Sequence, residues 1–400
     1  MKRKLIFISI LTIVALTTIV SLPVSALHHE KPIVVAQLKG ALSPDKQLNA
    51  MMNITWIEWR VVLDDISSTD LEGASMLFLT IADAAQIYSE DELNAISSWF
   101  EQGGKTIYVS GDSDYGTDHL RQAQYNAVYE AIGSKLRIDD CQVEDAVSNG
   151  GASYRVLGVS ENVDPRMEFL VKGVERALFH SPGPIVGFVD GEWIDLTAEQ
   201  IENTYIIMTS SETGSIADQS EPPASVMTVG DEGNFPLLVM EIDYANKNTV
   251  FAAGESPYDQ YMGMYAPEMI RSDRYGVDAN PQQGEYLLLN ILKYATAFGP
   301  TIIDRNLEIS NNLSEIAGLE NDVTNLGDQV SALSDDVSAL ESEVSSLESD
   351  VSTLELEKAG LGADVTAAQS SASTMQLAAV AALVIGVVVG YFVGPMIKKD

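Results

Sequence analysis

The chain has 400 residues, a single cysteine and a formal net charge of −35 at pH 7. A charge this negative argues against nucleic acid or an anionic lipid surface as a partner, and favours cations, basic proteins or a salty exterior. Cys141 has no partner for a disulfide within the chain. We expect it to be buried or unreactive, and a bond to its twin in a dimer is the alternative.

The N-terminus has the pattern of a secretory signal. Basic side chains within residues 1–4 precede an apolar run over residues 5–20, and Val24 and Ala26 place small residues where a signal peptidase reads them. The pattern predicts a signal peptide over residues 1–26, cleaved after Ala26. An uncleaved anchor helix is the alternative. In both interpretations the chain that follows is exported.

Residues 27–300 are predicted to form an exported α/β domain. Short apolar strands are predicted at residues 31–38, 55–63, 75–81 and 105–110. Helices are predicted over residues 45–52 and 92–101, and the second begins at an N-terminal capping box of Ser89 and Glu92. Strands that alternate with helices predict a mostly parallel sheet with helices on both faces.

Residues 88–111 join a capped helix, a double-glycine turn and a buried strand. Together with the strand and turn at residues 250–256 and the closing helix at residues 285–297, they resemble the class I glutamine amidotransferase-like superfamily. The resemblance is to its divergent branch of exported or membrane-linked prokaryotic proteins, and it covers residues 31–300. It implies a flavodoxin-like, mostly parallel sheet with a strand-rich insertion at about residues 140–245.

Working enzymes of this superfamily carry a cysteine nucleophile on a tight turn after a strand, with a histidine and an acid downstream. The corresponding turn here, residues 111–116, has no cysteine, and Cys141 lies away from it. The resemblance therefore implies a degenerate domain that binds a ligand or a protein. Residues expected to contact a ligand follow two predicted strands: Gly111, Asp112, Ser113, Asp114, Glu255 and Ser256.

Carboxylates after the strand at residues 105–110 suggest a metal site. Asp112, Asp114 and Asp118 supply the oxygen ligands that calcium prefers. Their spacing differs from that of the helix–loop–helix calcium loop, and no distal bidentate acid is identifiable. A plain acidic turn that caps the helix from Asp118 is the other interpretation.

The same turn offers a hydrolase alternative. Ser113 would be the nucleophile, with His119 or His180 as its base, on a strand–turn–helix connection of the kind hydrolases use. The serine oxygen would need the base within about 3 Å and an acid that orients that base. The sequence does not determine these distances.

Residues 301–374 are predicted to form an acidic coiled-coil stalk. Valines recur at heptad position a: Val323, Val330, Val337, Val344 and Val351. Leucines recur at position d: Leu319, Leu326, Leu333, Leu340, Leu347 and Leu354. This pairing favours a parallel two-stranded coiled coil, with a trimer as the alternative. Acids at positions e and g would face each other, which high salt, divalent cations or a basic partner would make tolerable.

Residues 375–397 carry no charge and are long enough to cross about 30 Å of hydrocarbon. The tail that follows, residues 398–400, contains two lysines and is therefore predicted to be cytoplasmic, with the N-terminal domain outside. Gly386, Gly390 and Gly394 recur every four residues and predict close pairing of this span with another helix.

These patterns predict a single-pass protein of a prokaryotic, specifically archaeal, cell membrane. The leading hypothesis is a non-enzymatic surface protein, homodimeric or homotrimeric through its stalk and span, that binds a ligand or another envelope protein. A surface-layer anchor has a similar build. The alternatives are an accessory component bound to the permease of an ABC-type transporter, and an exported hydrolase. Asn53 and Asn312 are candidate N-glycosylation sites.

Overall fold

The structure is a computed structural model, and it describes residues 31–161, 163–220, 223–258 and 282–393. The predicted signal peptide, Gly394 and the tail at residues 398–400 lie outside the described residues. The chain divides into two units, Met1–Ser310 and Asn311–Asp400.

The strands of the first unit are short, and in chain order they are β1 (Ile33–Lys39), β2 (Glu58–Val62), β3 (Ala74–Ile81), β4 (Thr106–Val109), β5 (Leu136–Ile138), β6 (Gln142–Asp145), β7 (Arg155–Val159), β8 (Arg176–His180), β9 (Ile185–Val189), β10 (Glu192–Ile194), β11 (Thr204–Thr209), β12 (Gly214–Ala217), β13 (Pro236–Asp243) and β14 (Asn248–Ala253). The helices are α1 (Lys46–Ile54), α2 (Glu90–Phe100), α3 (His119–Ala131), α4 (Gly284–Lys293), a π-helical turn (Tyr294–Phe298) and α5 (Gly299–Val393). Each element predicted before residue 111 is present, with its ends shifted by a few residues.

The main sheet has nine strands in the order β2-β1-β3-β4-β14-β13-β11-β7-β8. Strands from β2 to β14 pair in parallel. Strands from β13 to β8 each run antiparallel to the neighbour before them. Because direction alternates in this second half, β8 runs the same way as β4 and β14. The carboxyl ends of β3, β4, β14 and β8 therefore lie at one edge of the sheet.

The predicted strand-rich segment at about residues 140–245 is present, and much of it belongs to this sheet. β7, β8, β11 and β13 extend the sheet, whereas β5, β9 and β10 form a three-stranded sheet and β6 pairs with β12. Strands that extend a parallel sheet by antiparallel pairing have the same short, alternating pattern as strands of a separate subdomain. Local sequence therefore did not distinguish the two arrangements.

Hydrophobic clusters cover both faces of the sheet. Within β3, Met76 and Phe78 belong to one cluster, and Leu77 and Leu79 to the other, because successive strand residues point to opposite faces. Side chains of α1 and α4 pack in the first cluster. Side chains of α2 and α3 pack in the second. The predicted arrangement of helices on both faces is confirmed.

A buried ion pair joins β1 to α2. Lys39 is 1 % exposed, and its Nζ lies 2.7 Å from Glu92 Oε1 and 2.5 Å from Asp65 Oδ1. Glu92 also accepts hydrogen bonds from Gln37 Nε2 at 3.1 Å and Ile66 N at 3.2 Å, and completes the predicted capping box. Burial acts to raise the pKa of Glu92, but these hydrogen bonds, that of Lys39 foremost, lower it below 4.5.

Helix α5 runs for 95 residues from Gly299 to Val393, and its residues from Asn311 onward are the described part of the second unit. The heptad residues are exposed, from Val323 at 69 % to Leu354 at 62 %. The C-terminal part of this helix is long and apolar enough to cross a membrane, judged by length and composition. The helix is thus confirmed, and its pairing with another copy stays a prediction.

The candidate glycosylation sites differ in position but not in exposure. Asn53 lies near the end of α1 and Asn312 lies on α5, and both residues are exposed. Their modification stays a prediction.

We expect Glu92→Gln to lower the free energy of unfolding by about 3 kcal/mol, because it leaves Lys39 buried with a weakened partner. Urea unfolding of the full chain in detergent, followed by tryptophan fluorescence, measures this, since every tryptophan lies in the first unit. The pKa of Glu92 is lowered from 4.5 on folding. The stabilisation by this ion pair is therefore present above pH 4.5 and is lost as the pH falls below that value. Asp91→Asn, a change at an exposed neighbour, should cost less than about 0.5 kcal/mol. Equal effects of the two changes would contradict a stabilising ion pair.

Candidate functional site

The loops after β4 and β14 meet at the carboxyl edge of the sheet. A Cβ atom on Gly111 would overlap the backbone of Ala253 and Gly254. Gly254 in turn lies against Gly183, whose N–H donates to the Gly254 carbonyl at 3.0 Å. These close backbone approaches bring together the chain after β4, the chain after β14 and the turn between β8 and β9. Only glycine leaves room for them.

Asp112 is fully buried beneath the start of α3. Arg121 Nη1 lies 2.8 Å from Asp112 Oδ2 and 2.6 Å from Asp118 Oδ1. Burial and the neighbouring Asp118 raise the pKa of Asp112 to about 8, against the opposing effect of Arg121. One guanidinium therefore bridges two of the carboxyl groups that the sequence suggested for calcium.

The third carboxyl group of that set has a separate role. Asp114 is buried, and its Oδ2 accepts hydrogen bonds from Gln219 N and from Ser220 N, the latter at 3.0 Å. No group of histidine, cysteine, aspartate or glutamate side chains suited to a metal ion occurs among the described residues. In the described structure these carboxylates are bonded to Arg121 and to backbone N–H groups, and the calcium site stays a prediction. Asp118 begins α3 without a side-chain capping bond.

The predicted pairing of Ser113 with a histidine is not formed. Ser113 is buried, and its Oγ accepts a hydrogen bond from Tyr115 N at 3.2 Å. His119 Nδ1 instead contacts the carbonyl oxygen of Gly116 at 2.7 Å. Cys141 is buried, as expected, and burial raises the pKa of its thiol. Neither side chain has the activated, accessible geometry that a nucleophile needs.

Glu255 is fully buried directly behind β8. His180 N donates to Glu255 Oε2, whereas Glu255 Oε1 has no hydrogen-bond partner in the described structure. Burial raises the pKa of Glu255 well above 4.5, and the nearby Asp112 acts in the same direction, so folding favours its neutral form. The adjacent Ser256 Oγ lies 2.8 Å from Thr80 Oγ1 and donates to the Tyr258 carbonyl.

An open cavity of about 480 Å³ lies beside this buried cluster, a volume within the range of small-molecule sites. The lining residues come from several loops, from β6 and from the end of β8: Tyr115, Asp118, Gln142, Glu144, Tyr154, His180, Ser181 and Gln219. A larger cavity of about 710 Å³ lies along β7 and β8, and none of the sequence-predicted site residues lines it.

The cavity wall has an aromatic side and an acidic side. The rings of Tyr154 and His180 meet edge to face with centroids 5.3 Å apart, and Arg155 lies over the Tyr154 ring at 5.0 Å. Burial and Arg155 lower the pKa of His180 to about 4, so this ring is neutral near pH 7. Glu144 accepts hydrogen bonds from Gln142 Nε2 at 2.6 Å and Ser153 Oγ at 2.8 Å.

The cavity and the residues that the sequence predicted to contact a ligand lie at the same edge of the sheet. Residues expected to contact a ligand do meet there, but their side chains are buried: Gly111, Asp112, Ser113, Asp114, Glu255 and Ser256. Asp118 and His180 line the cavity.

We expect Glu255→Gln to change how stability depends on pH. A raised pKa in the folded state stabilises the native protein at low pH, and this contribution is lost as the pH rises toward that value. Above pH 4.5, the unfolding free energy of the wild type should therefore fall more steeply with pH than that of Glu255→Gln, by at most about 1.4 kcal/mol per pH unit. Urea unfolding at several pH values measures the two slopes. Glu199→Gln, at an exposed position, should keep the wild-type slope, and equal slopes for Glu255→Gln would mean that Glu255 is ionised in the native state.

No family model and no curated protein matches this chain. Among solved structures, it is similar to the mmIFT52 N-terminal domain, with 9 % identity and a TM-score of 0.43 over 66 % of this chain and 97 % of that one. It is also similar to a protein from Thermoplasma acidophilum described as a candidate GMP synthase component, with 12 % identity and a TM-score of 0.33 over 71 % of this chain and 100 % of that one. Both similarities are distant, and neither assigns a function to a residue of this chain.

Proposed function

We propose that this chain is a single-pass membrane protein whose exported α/β domain binds a ligand or another protein without catalysing a reaction. The observation that carries the proposal is the structure at the carboxyl edge of the sheet. An open, polar and aromatic cavity lies there, while the turn after β4 is buried and bonded to the domain itself. Ligand sites of open α/β sheets form at this edge.

The side chains around the cavity favour binding over catalysis. Catalysis by general acid–base or nucleophilic groups requires a base within hydrogen-bond distance of a reacting group. Ser113 and Cys141 are buried. Asp118 is held by Arg121, and Glu144 by Gln142 and Ser153. These contacts fix the wall in place, which suits recognition.

The membrane part of the proposal combines two features of the sequence with the long helix. The predicted signal peptide and the two lysines after the apolar span favour the same orientation, with the N-terminal domain outside. The C-terminal part of α5 supplies a segment that fits a single-pass anchor by composition.

Labelling of single cysteines tests this orientation, because the natural Cys141 is buried and gives a low background. In intact prokaryotic cells that express the full chain, a membrane-impermeant maleimide should label Glu199→Cys, at an exposed site on the first unit. Lys399→Cys should be labelled only after the cells are permeabilised. Labelling of Lys399→Cys in intact cells, or protection of Glu199→Cys, would overturn the orientation.

We further propose that two copies of the chain pair in parallel through the stalk. The valines and leucines of the heptads are exposed on the single helix, and an apolar stripe this long favours burial against a partner. In a parallel pair, each g position faces the e position of the next heptad on the other strand. Asp322–Gly327 and Gln329–Ser334 are free of repulsion, whereas these pairs are acid against acid: Glu315–Glu320, Asp336–Glu341, Glu343–Glu348 and Asp350–Glu355.

Leu340→Asn should weaken this pairing at least tenfold, or by about 1.4 kcal/mol, because it places an amide at a d position of the apolar seam. Sedimentation of the full chain in detergent at several salt concentrations measures the association, which should strengthen as salt screens the acid pairs. The matched control is Ser342→Asn, a change at the outward f position of the same heptad. A wild-type chain that stays monomeric at every salt concentration, or an equal effect of the control, would contradict pairing through the stalk.

A further inference from the structure

We infer that the cavity beside Asp118 and His180 binds an organic cation, through an ammonium or guanidinium group. The inference rests on the proposed binding function and names the chemistry of its ligand. The cavity is lined by two carboxylates, Asp118 and Glu144, and in the described part of the chain by no lysine or arginine.

The two carboxylates differ in how their charge is balanced. Asp118 lies 2.6 Å from Arg121 Nη1, a guanidinium that it shares with Asp112. The hydrogen bonds to Glu144 come from neutral groups, Gln142 and Ser153. Among the described residues, none of the ion pairs involves Glu144. A carboxylate held in place by neutral donors still attracts a cation.

The aromatic residues of the wall favour the same ligand. Tyr154 already carries the Arg155 guanidinium at 5.0 Å, so this ring takes part in a cation–π contact within the chain itself. Tyr115 lies on the same lining with 62 % of its surface exposed. A tyrosine ring and a carboxylate on one cavity attract an organic cation both by charge and by the ring face.

The wall offers little to an anion. His180 is neutral near pH 7, since burial and Arg155 lower its pKa to about 4. The net charge of −35 repels anions and steers cations toward the protein. The other lining groups, Gln142, Ser181 and Gln219, are neutral hydrogen-bond donors and acceptors. They can orient either a free small molecule or a side chain of a peptide.

Calorimetric titration of the full chain in detergent tests the inference with three probes. N-acetyl-arginine amide represents a basic side chain on a protein, methylguanidinium represents a small free cation, and N-acetyl-citrulline amide is a neutral counterpart of the first. We expect saturable binding of one ligand per chain by at least one cation, and at least tenfold weaker binding of the citrulline compound. Comparable affinity for both cations would indicate a free small molecule as the source, and a clear preference for the arginine compound would indicate a protein partner.

Glu144→Gln should weaken binding of the cation at least tenfold, because it removes the charge and keeps the size of the side chain. Tyr115→Leu should also weaken binding. Because Tyr115 is exposed, this substitution should leave the fold intact. The matched control is Glu192→Gln, the same charge change at an exposed residue of β10 that does not line the cavity. An equal loss in this control would overturn the inference in favour of general attraction to an acidic surface.

The outcomes separate this inference from the proposed function. Equal affinity for the citrulline compound would overturn the cation preference and leave a binding cavity. Absence of binding by all three probes would also overturn the inference, while cysteine labelling judges the membrane orientation independently. Recovery of each probe unchanged after incubation is expected for a binding domain, and its hydrolysis would overturn the proposed function instead.

Discussion

The close approach of Gly111, Gly254 and Gly183 is the constraint on which the candidate site depends. The two halves of the main sheet are paired differently, one in parallel and one antiparallel, and the backbones of their carboxyl-end loops approach each other at these glycines. This contact sets the turn between β8 and β9 against the loop after β4. The wall that contains His180 and the wall that contains Asp118 face one cavity as a result.

Buried carboxyl groups then fix the loops around that contact. Asp139 accepts hydrogen bonds from the backbone N–H groups of Ser225, Val226 and Met227, and Asp114 accepts them from residues 219–220. Burial of a carboxylate costs free energy unless such donors replace water. Asp114, one of the acids that the sequence suggested for metal binding, therefore orders the loop segment that carries Gln219, a residue of the cavity wall.

Local signals predicted the first half of the domain well. The capping box of Ser89 and Glu92 and the apolar strands up to residue 110 involve neighbours in sequence, so their patterns are readable directly. The structure of the second half depends on which distant strands pair with each other. The sequence of a short alternating strand does not indicate its partner strand. The contacts within the site were unpredictable for the same reason. The sequence around Arg121 indicates only a helix, and the fold is what places this side chain between Asp112 and Asp118.

The composition of the chain and the chemistry of its cavity are connected. With 23 basic residues against 58 acidic ones, the chain has few cations to balance its own carboxylates. The side chains of Lys39 and Arg121 are buried, and each forms ion pairs with two acidic residues. The acid on the cavity wall, Glu144, is held by neutral donors instead. Among the described residues no basic side chain forms an ion pair with it, so the scarcity of basic residues is itself a reason for the cavity to select a positively charged ligand.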